Sequence, residues 1–111
     1  MAYDEALADE LREILAVADG DLTEKKMFGG ICFMVGGKMA IAASRRGGLL
    51  VRTDPADADE VLALPGTEPM EMRGRQMPGW VHVDATALRD EVAVEGWVSR
   101  ALAFVATLPP K

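Results

Sequence analysis

The stretch "KKMFGGICFMVGGKMAIAA", residues 25–43, decides how the chain folds. Ile31-Cys32-Phe33-Met34-Val35 is a short apolar run rich in strand formers, and Lys38-Met39-Ala40-Ile41-Ala42-Ala43-Ser44 is a second. Only Gly36 and Gly37 separate them. Gly-Gly suits a two-residue hairpin because its turns need positive φ, which glycine adopts without steric cost. Pairing across that turn sets Cys32, Met34, Met39 and Ile41 on one face, with Ile31, Phe33, Ala40 and Ala42 on the other. Both faces are apolar, so the hairpin is expected in the middle of its sheet.

The same stretch invites two chemical readings, and its residues argue against both. A phosphate cradle presents backbone N–H groups at a helix N-terminus, yet neither Gly-x-Gly-x-x-Gly nor Gly-x-x-x-x-Gly-Lys-Ser/Thr occurs and a strand follows the glycines. Gly29-Gly30 reads instead as a bulge or a close backbone approach. Cys32 sits between Ile31 and Phe33, without the cationic setting that favours a thiolate, and reads as a packing residue.

Working outward, Tyr3, Leu7, Leu11, Ile14, Leu15 and Ala18 recur at helical spacing, which predicts an amphipathic helix over 3–18 stopped by Gly20. After the hairpin, Arg45-Arg46-Gly47-Gly48 turns into a third strand, 49–52. Asp54-Pro55-Ala56-Asp57 is a helix start with a cap and a proline in the first turn, and that helix ends at Pro65-Gly66. Strands follow at 70–73 and 79–84, with Trp80 and His82 on one face and Val81 and Val83 on the other. A last helix starts near Asp90, carries Val94, Trp97, Val98, Ala101, Leu102 and Val105, and stops at Leu108-Pro109-Pro110. The order α-β-β-β-α-β-β-α predicts a two-layer α+β domain: an antiparallel five-stranded sheet with its helices on one face.

Composition narrows the function classes. A chain of 111 residues is sized for one domain. One cysteine and one histidine exclude an internal disulfide and a Cys/His metal cage, so no metal or cofactor is expected. The acidic start Met1-Ala2-Tyr3-Asp4-Glu5 is unlike a secretory signal, and no apolar run is long enough to span a bilayer, so a cytoplasmic location is expected. The net charge of −6 opposes direct nucleic-acid binding, which draws its affinity from neutralised phosphates.

Three candidate features remain. Arg45, Arg46, Arg52, Arg73 and Arg75, joined by Lys25, Lys26 and Lys38, could gather at a sheet edge and hold a small anion; a solvated rim that discourages edge pairing is the competing reading. His82 could serve as a general base only beside a second titratable group, and no activated serine or cysteine accompanies it. Six methionines lie between 27 and 77; an uncovered methionine-bearing sheet face would be protected by self-association, which makes a homodimer the expected state.

"TEKKMFGG" at 23–30, the strand–glycine–strand after it, "RGRQMPGWVHV" at 73–83 and "RALAFVATLPPK" at 100–111 together resemble the TfoX N-terminal domain family, in order and over nearly the whole chain. The resemblance implies a fold like that of type III secretion chaperones and a link to TfoX/Sxy competence regulators, which act with the cyclic-AMP receptor protein at promoters. Two-domain regulators of that kind carry a further helical domain, and this sequence ends at Lys111. The resemblance supplies no catalytic or ligand residues. It favours a non-enzymatic regulatory or protein-interaction module, ahead of a small-anion-binding domain or an enzyme using His82.

Overall fold

The computed structural model describes residues 4–16, 22–27, 29–45, 47–72, 74–88 and 90–108, with the backbone alone at 27, 72 and 76–78. The elements in chain order are α1 (Glu5–Leu15), β1 (Leu22–Met27), β2 (Gly30–Val35), β3 (Lys38–Ala43), β4 (Leu49–Arg52), α2 (Ala58–Leu62), β5 (Thr67–Met72), β6 (Arg75–Val83) and α3 (Glu91–Val105). Single 3-10 turns at Pro55–Asp57 and Ala85–Ala87 precede α2 and α3. The sheet is fully antiparallel, in the order β1-β2-β3-β4-β6-β5.

The α+β class and the sequence of helices and strands follow the expectation, with one correction. The sheet has six strands, because Leu22-Thr23-Glu24-Lys25-Lys26-Met27 pairs along β2 as an edge strand. Its exposed Thr, Glu and Lys side chains carry no apolar alternation, so its strand state comes from pairing with a neighbour rather than from its own pattern. Arg12 of α1 secures it from above: Nε and Nη2 donate to the two Glu24 carboxylate oxygens at 2.8 and 2.9 Å.

The Gly36-Gly37 hairpin forms as expected, with φ of +59° and +81° and Met34 opposite Met39. The facing of β3 differs from the simple alternation. The register shifts between Phe33 and Met34, so Phe33 pairs with Ile41 and Ala40 becomes the extra residue of a bulge. Ile41 therefore joins Ile31 and Phe33 on the helix side, and Ala42 moves to the opposite face with Cys32. At Gly30 a Cβ would collide with the Ala43 carbonyl oxygen, the close backbone approach that the glycine pair signalled.

The helices form the second layer. Leu7, Ala8, Leu11 and Leu15 of α1 pack with Val94, Val98, Ala101 and Val105 of α3 onto Ile31, Phe33, Ile41, Ala43, Leu49, Val51 and Val83. Phe33 is fully buried at the centre. Asp4, Asp54 and Asp90 cap their helices, accepting from Leu7 N, Ala56 N and Ala93 N at 3.1, 2.9 and 2.9 Å. The other face of the sheet holds a second cluster, Cys32, Ala42, Leu50 and Met70 with Met34, Met39 and Trp80, to which no helix contributes among the described residues.

Candidate interaction cleft

The cap at Asp90 sets the rotation of α3 and so decides what its outward flank presents. With Val94, Val98, Ala101 and Val105 turned to the core, Val92, Ala93, Gly96, Trp97 and Arg100 face a turn made by Leu64-Pro65-Gly66 and the 3-10 turn at Thr86-Ala87. These walls enclose an open cleft of about 700 Å³. The far wall is fixed locally. Thr67 Oγ1 donates to the Leu64 and Val61 carbonyls at 2.8 and 3.1 Å, and Asp84 N donates to Gly66 O at 2.8 Å. Gly66 has φ +77°, and a Cβ there would lie 2.6 Å from the Ala87 Cβ, so the two turns can meet only through a glycine.

The lining is mixed, nearly as polar as apolar, and open to solvent. The exposed large hydrophobic side chains among the described residues are Leu62 (36%), Leu64 (37%) and Val92 (75%). Leu64 and Val92 line the cleft directly, and Leu62 ends the helix that leads into it. Trp97 is half-buried, one side against the helix core. The Arg100 guanidinium lies 5.8 Å from its ring centre, and Glu60 of α2 reaches Arg100 at 3.8 Å. Gly96 leaves the floor bare, since a Cβ there would meet nothing within 4 Å. Asp90 and Arg100 are the charged lining residues, and one Asp90 oxygen is committed to the Ala93 N–H. The exposed Leu64 and Val92 side chains give the arrangement room to receive an apolar ridge.

A family model for the TfoX N-terminal domain matches residues 13–105. The chain belongs to the TfoX N-terminal domain family. No curated protein and no solved structure matches it.

In this TfoX N-terminal domain the arginines singled out from the sequence are dispersed along the sheet. Arg46 and Arg73 lie outside the described residues. Arg45 is exposed in the β3–β4 turn, its side chain lying against Gly29. Arg52 ends β4 at the opposite end of the same strand, where Nη1 donates to Met39 O at 3.1 Å and the guanidinium lies 5.8 Å from the Phe104 ring centre. Arg75 starts β6, while Arg52 pairs with Trp80 of that strand. Those five residues correspond to roughly 16 Å of extended chain. The structure therefore does not bring Arg45, Arg52 and Arg75 together.

His82 is 5% exposed, not a surface residue. It stands opposite Glu68 on β5 and Leu50 on β4. Its Nε2–H donates to Gly47 O at 2.9 Å, and its Nδ1 lies 3.6 Å from Glu68 Oε1. A second titratable group is thus near, but His82 lines neither the cleft nor the smaller groove between α1 and α3. Cys32 is buried, and burial pushes its thiol from 9.0 up to about 11 against a smaller opposing pull from Arg52. It is the packing residue its neighbours implied.

The helix-free face is more closed than its sequence suggested. Cys32, Ala42, Leu50 and Met70 are buried there, and Met34, Met39 and Trp80 are half-buried around them. Sequence reasoning missed the cleft instead. One signal for it was present: Val92 and Gly96, four residues apart, put an exposed apolar side chain and a bare backbone on one flank of α3. A helix flank with so little charge facing solvent is available to pack against something else.

Proposed function

We propose that this TfoX N-terminal domain is a non-enzymatic regulatory module that docks a partner protein in the cleft between the 64–66 turn and α3. The observation that carries the reading is the concentration of exposed apolar side chains, Leu62, Leu64 and Val92, around an open cleft floored by Gly96. The likeness to competence regulators supports transcription control as the process served. Affinity capture from the native cell tests it, with the wild type beside Leu64→Asn and Val92→Asn. The reading requires one partner held by the wild type and lost by both variants at unchanged melting temperature. Undiminished capture by both variants overturns it.

A second reading is self-association across the helix-free face. Met34, Met39 and Trp80 favour it, because they remain half-buried at the rim of an otherwise closed apolar cluster. Light scattering after gel filtration decides it: a monomer at micromolar concentration removes this reading.

A further inference from the structure

His82 is the chain's single histidine, and its buried imidazole sits between two acceptors. On one side Nε2–H donates to Gly47 O at 2.9 Å. On the other, the buried Nδ1 has no hydrogen-bond partner among the described residues and lies 3.6 Å from Glu68 Oε1. Three segments set this geometry. Glu68 stands directly opposite His82 in the β5–β6 register, with Leu50 opposite on β4. Gly47 belongs to the β3–β4 turn, which is closed by Gly47 N to Ser44 O and Ser44 N to Gly48 O, both at 3.0 Å. A Cβ at Gly48 would collide with Val83 O, so the turn packs tightly on β6 and hands its carbonyl to the ring. The neighbouring charges point elsewhere. Arg45 of the turn lies against Gly29, Arg52 of β4 donates to Met39 O, and Asp84 beyond β6 accepts from Thr86 N. Glu68 is the charged group that faces the ring among the described residues.

We infer that His82 is a proton-operated latch between the edge strand β5 and the β3–β4 turn, closed when its imidazolium donates to Glu68 and Gly47 together and slack when the ring is neutral. This goes beyond the docking reading and does not depend on it. The chemistry of the two partners carries it. A carbonyl and a carboxylate both accept and neither donates, so only the doubly protonated ring satisfies the pair. A neutral ring that donates to Gly47 O turns a bare Nδ1 lone pair toward the carboxylate, and a buried acceptor left unpaired is costly. Burying an imidazolium is costly too unless each N–H is paired, and here each has an acceptor. The 3.6 Å gap is wider than a charge-assisted bond, which closes to about 2.8 Å. Glu68 is half-exposed, so its carboxylate can travel that distance without disturbing packed atoms. Histidine changes charge between about pH 5 and 8. Proton uptake there fastens β5, which has β6 as its single neighbour in the sheet.

The test is NMR of the isotope-labelled domain titrated from pH 8 to 5, in which a single histidine gives unambiguous ring signals. The ring should take up a proton, and the amides of Gly47, Glu68 and His82 should shift with the same midpoint. Protection of β5 amides, corrected for the intrinsic pH dependence of exchange, should rise about threefold or more. In Glu68→Gln the carboxamide can donate to the neutral Nδ1, so β5 should be protected at both ends of the range and the response lost. Glu68→Ala should stay slack throughout. Circular dichroism confirms that each variant keeps its fold, and the wild-type titration can sink the inference without either. A ring that stays neutral to pH 5, a ring that titrates while β5 protection is constant, or a Glu68→Gln response equal to wild type overturns it.

Discussion

Glu60 of α2 reaches Arg100 of α3 at 3.8 Å, so one ion pair ties the helix that leads into the cleft to the helix that floors it. The same guanidinium covers the Trp97 ring. Glu60 is largely exposed and its charge is screened by water, so the pair contributes at most about 1 kcal/mol, and the ring contact about 0.5–1 kcal/mol. Arg100→Ala should therefore lower stability by less than about 2 kcal/mol in chemical denaturation. It should also move Trp97 emission, because the cation leaves the ring face. A large loss of stability with unchanged emission would show that Arg100 acts elsewhere.

Two glycines of the cleft should respond in opposite ways. Gly96 is in a helix interior with open space above it, so Gly96→Ala gains up to about 1 kcal/mol of helix propensity. Gly66 is in the left-handed region against Ala87, so Gly66→Ala loses roughly 1–3 kcal/mol. Thermal unfolding of the pair checks both signs. Under the docking account Gly96→Ala is also the instructive variant, more stable yet weaker at holding its partner.

Cys32 should be slow toward thiol reagents at neutral pH in the folded protein and react at the ordinary rate once unfolded, since only the thiolate attacks. Its titration also has a thermodynamic sign. The folded thiol keeps its proton up to about 11 whereas the unfolded one releases it near 9.0, so the contribution is full below pH 9 and is lost as pH rises toward 11. Denaturation curves of wild type and Cys32→Ala from pH 8 to 11 read this directly. The wild type should lose more stability over that interval than the variant.

The edge strand β1 should depend on α1. Arg12 grips Glu24 with two hydrogen bonds and also reaches Asp9, and these acids hold its guanidinium proton more tightly than usual. In Glu24→Gln, amide exchange should accelerate over residues 22–27 and stay unchanged in β3 and β4, because the contact is local and solvent-exposed. Faster exchange throughout the sheet would show that β1 matters to the whole fold.

The parts legible in the sequence are those whose signal is local. Gly36-Gly37 specified its turn, Asp54 and Asp90 their caps, and the 3.6-residue period of α1 and α3 the face each would bury. The β1 strand was hidden because Thr23, Glu24, Lys25 and Lys26 carry no alternation, and its conformation is imposed by β2 and Arg12. The bulge at Ala40 was hidden because alanine fits either face, so nothing in the pattern marks where Ile41 and Ala42 exchange sides. The arginines look adjacent in the chain, yet Arg45 lies in the turn before β4 and Arg52 at the far end of that strand, so β4 itself separates them. The cleft needs three segments far apart in sequence, 64–66, 86–87 and 90–100, and only the tertiary fold assembles them.

The docking site is tested most directly by two-dimensional amide NMR of the labelled domain during titration with the partner captured from the native cell. The account predicts perturbed amides at 62–66, 86–88 and 90–100, with Cys32, Met34, Met39 and Trp80 on the helix-free face unmoved. Shifts confined to those sheet residues, with the α3 flank silent, would contradict it.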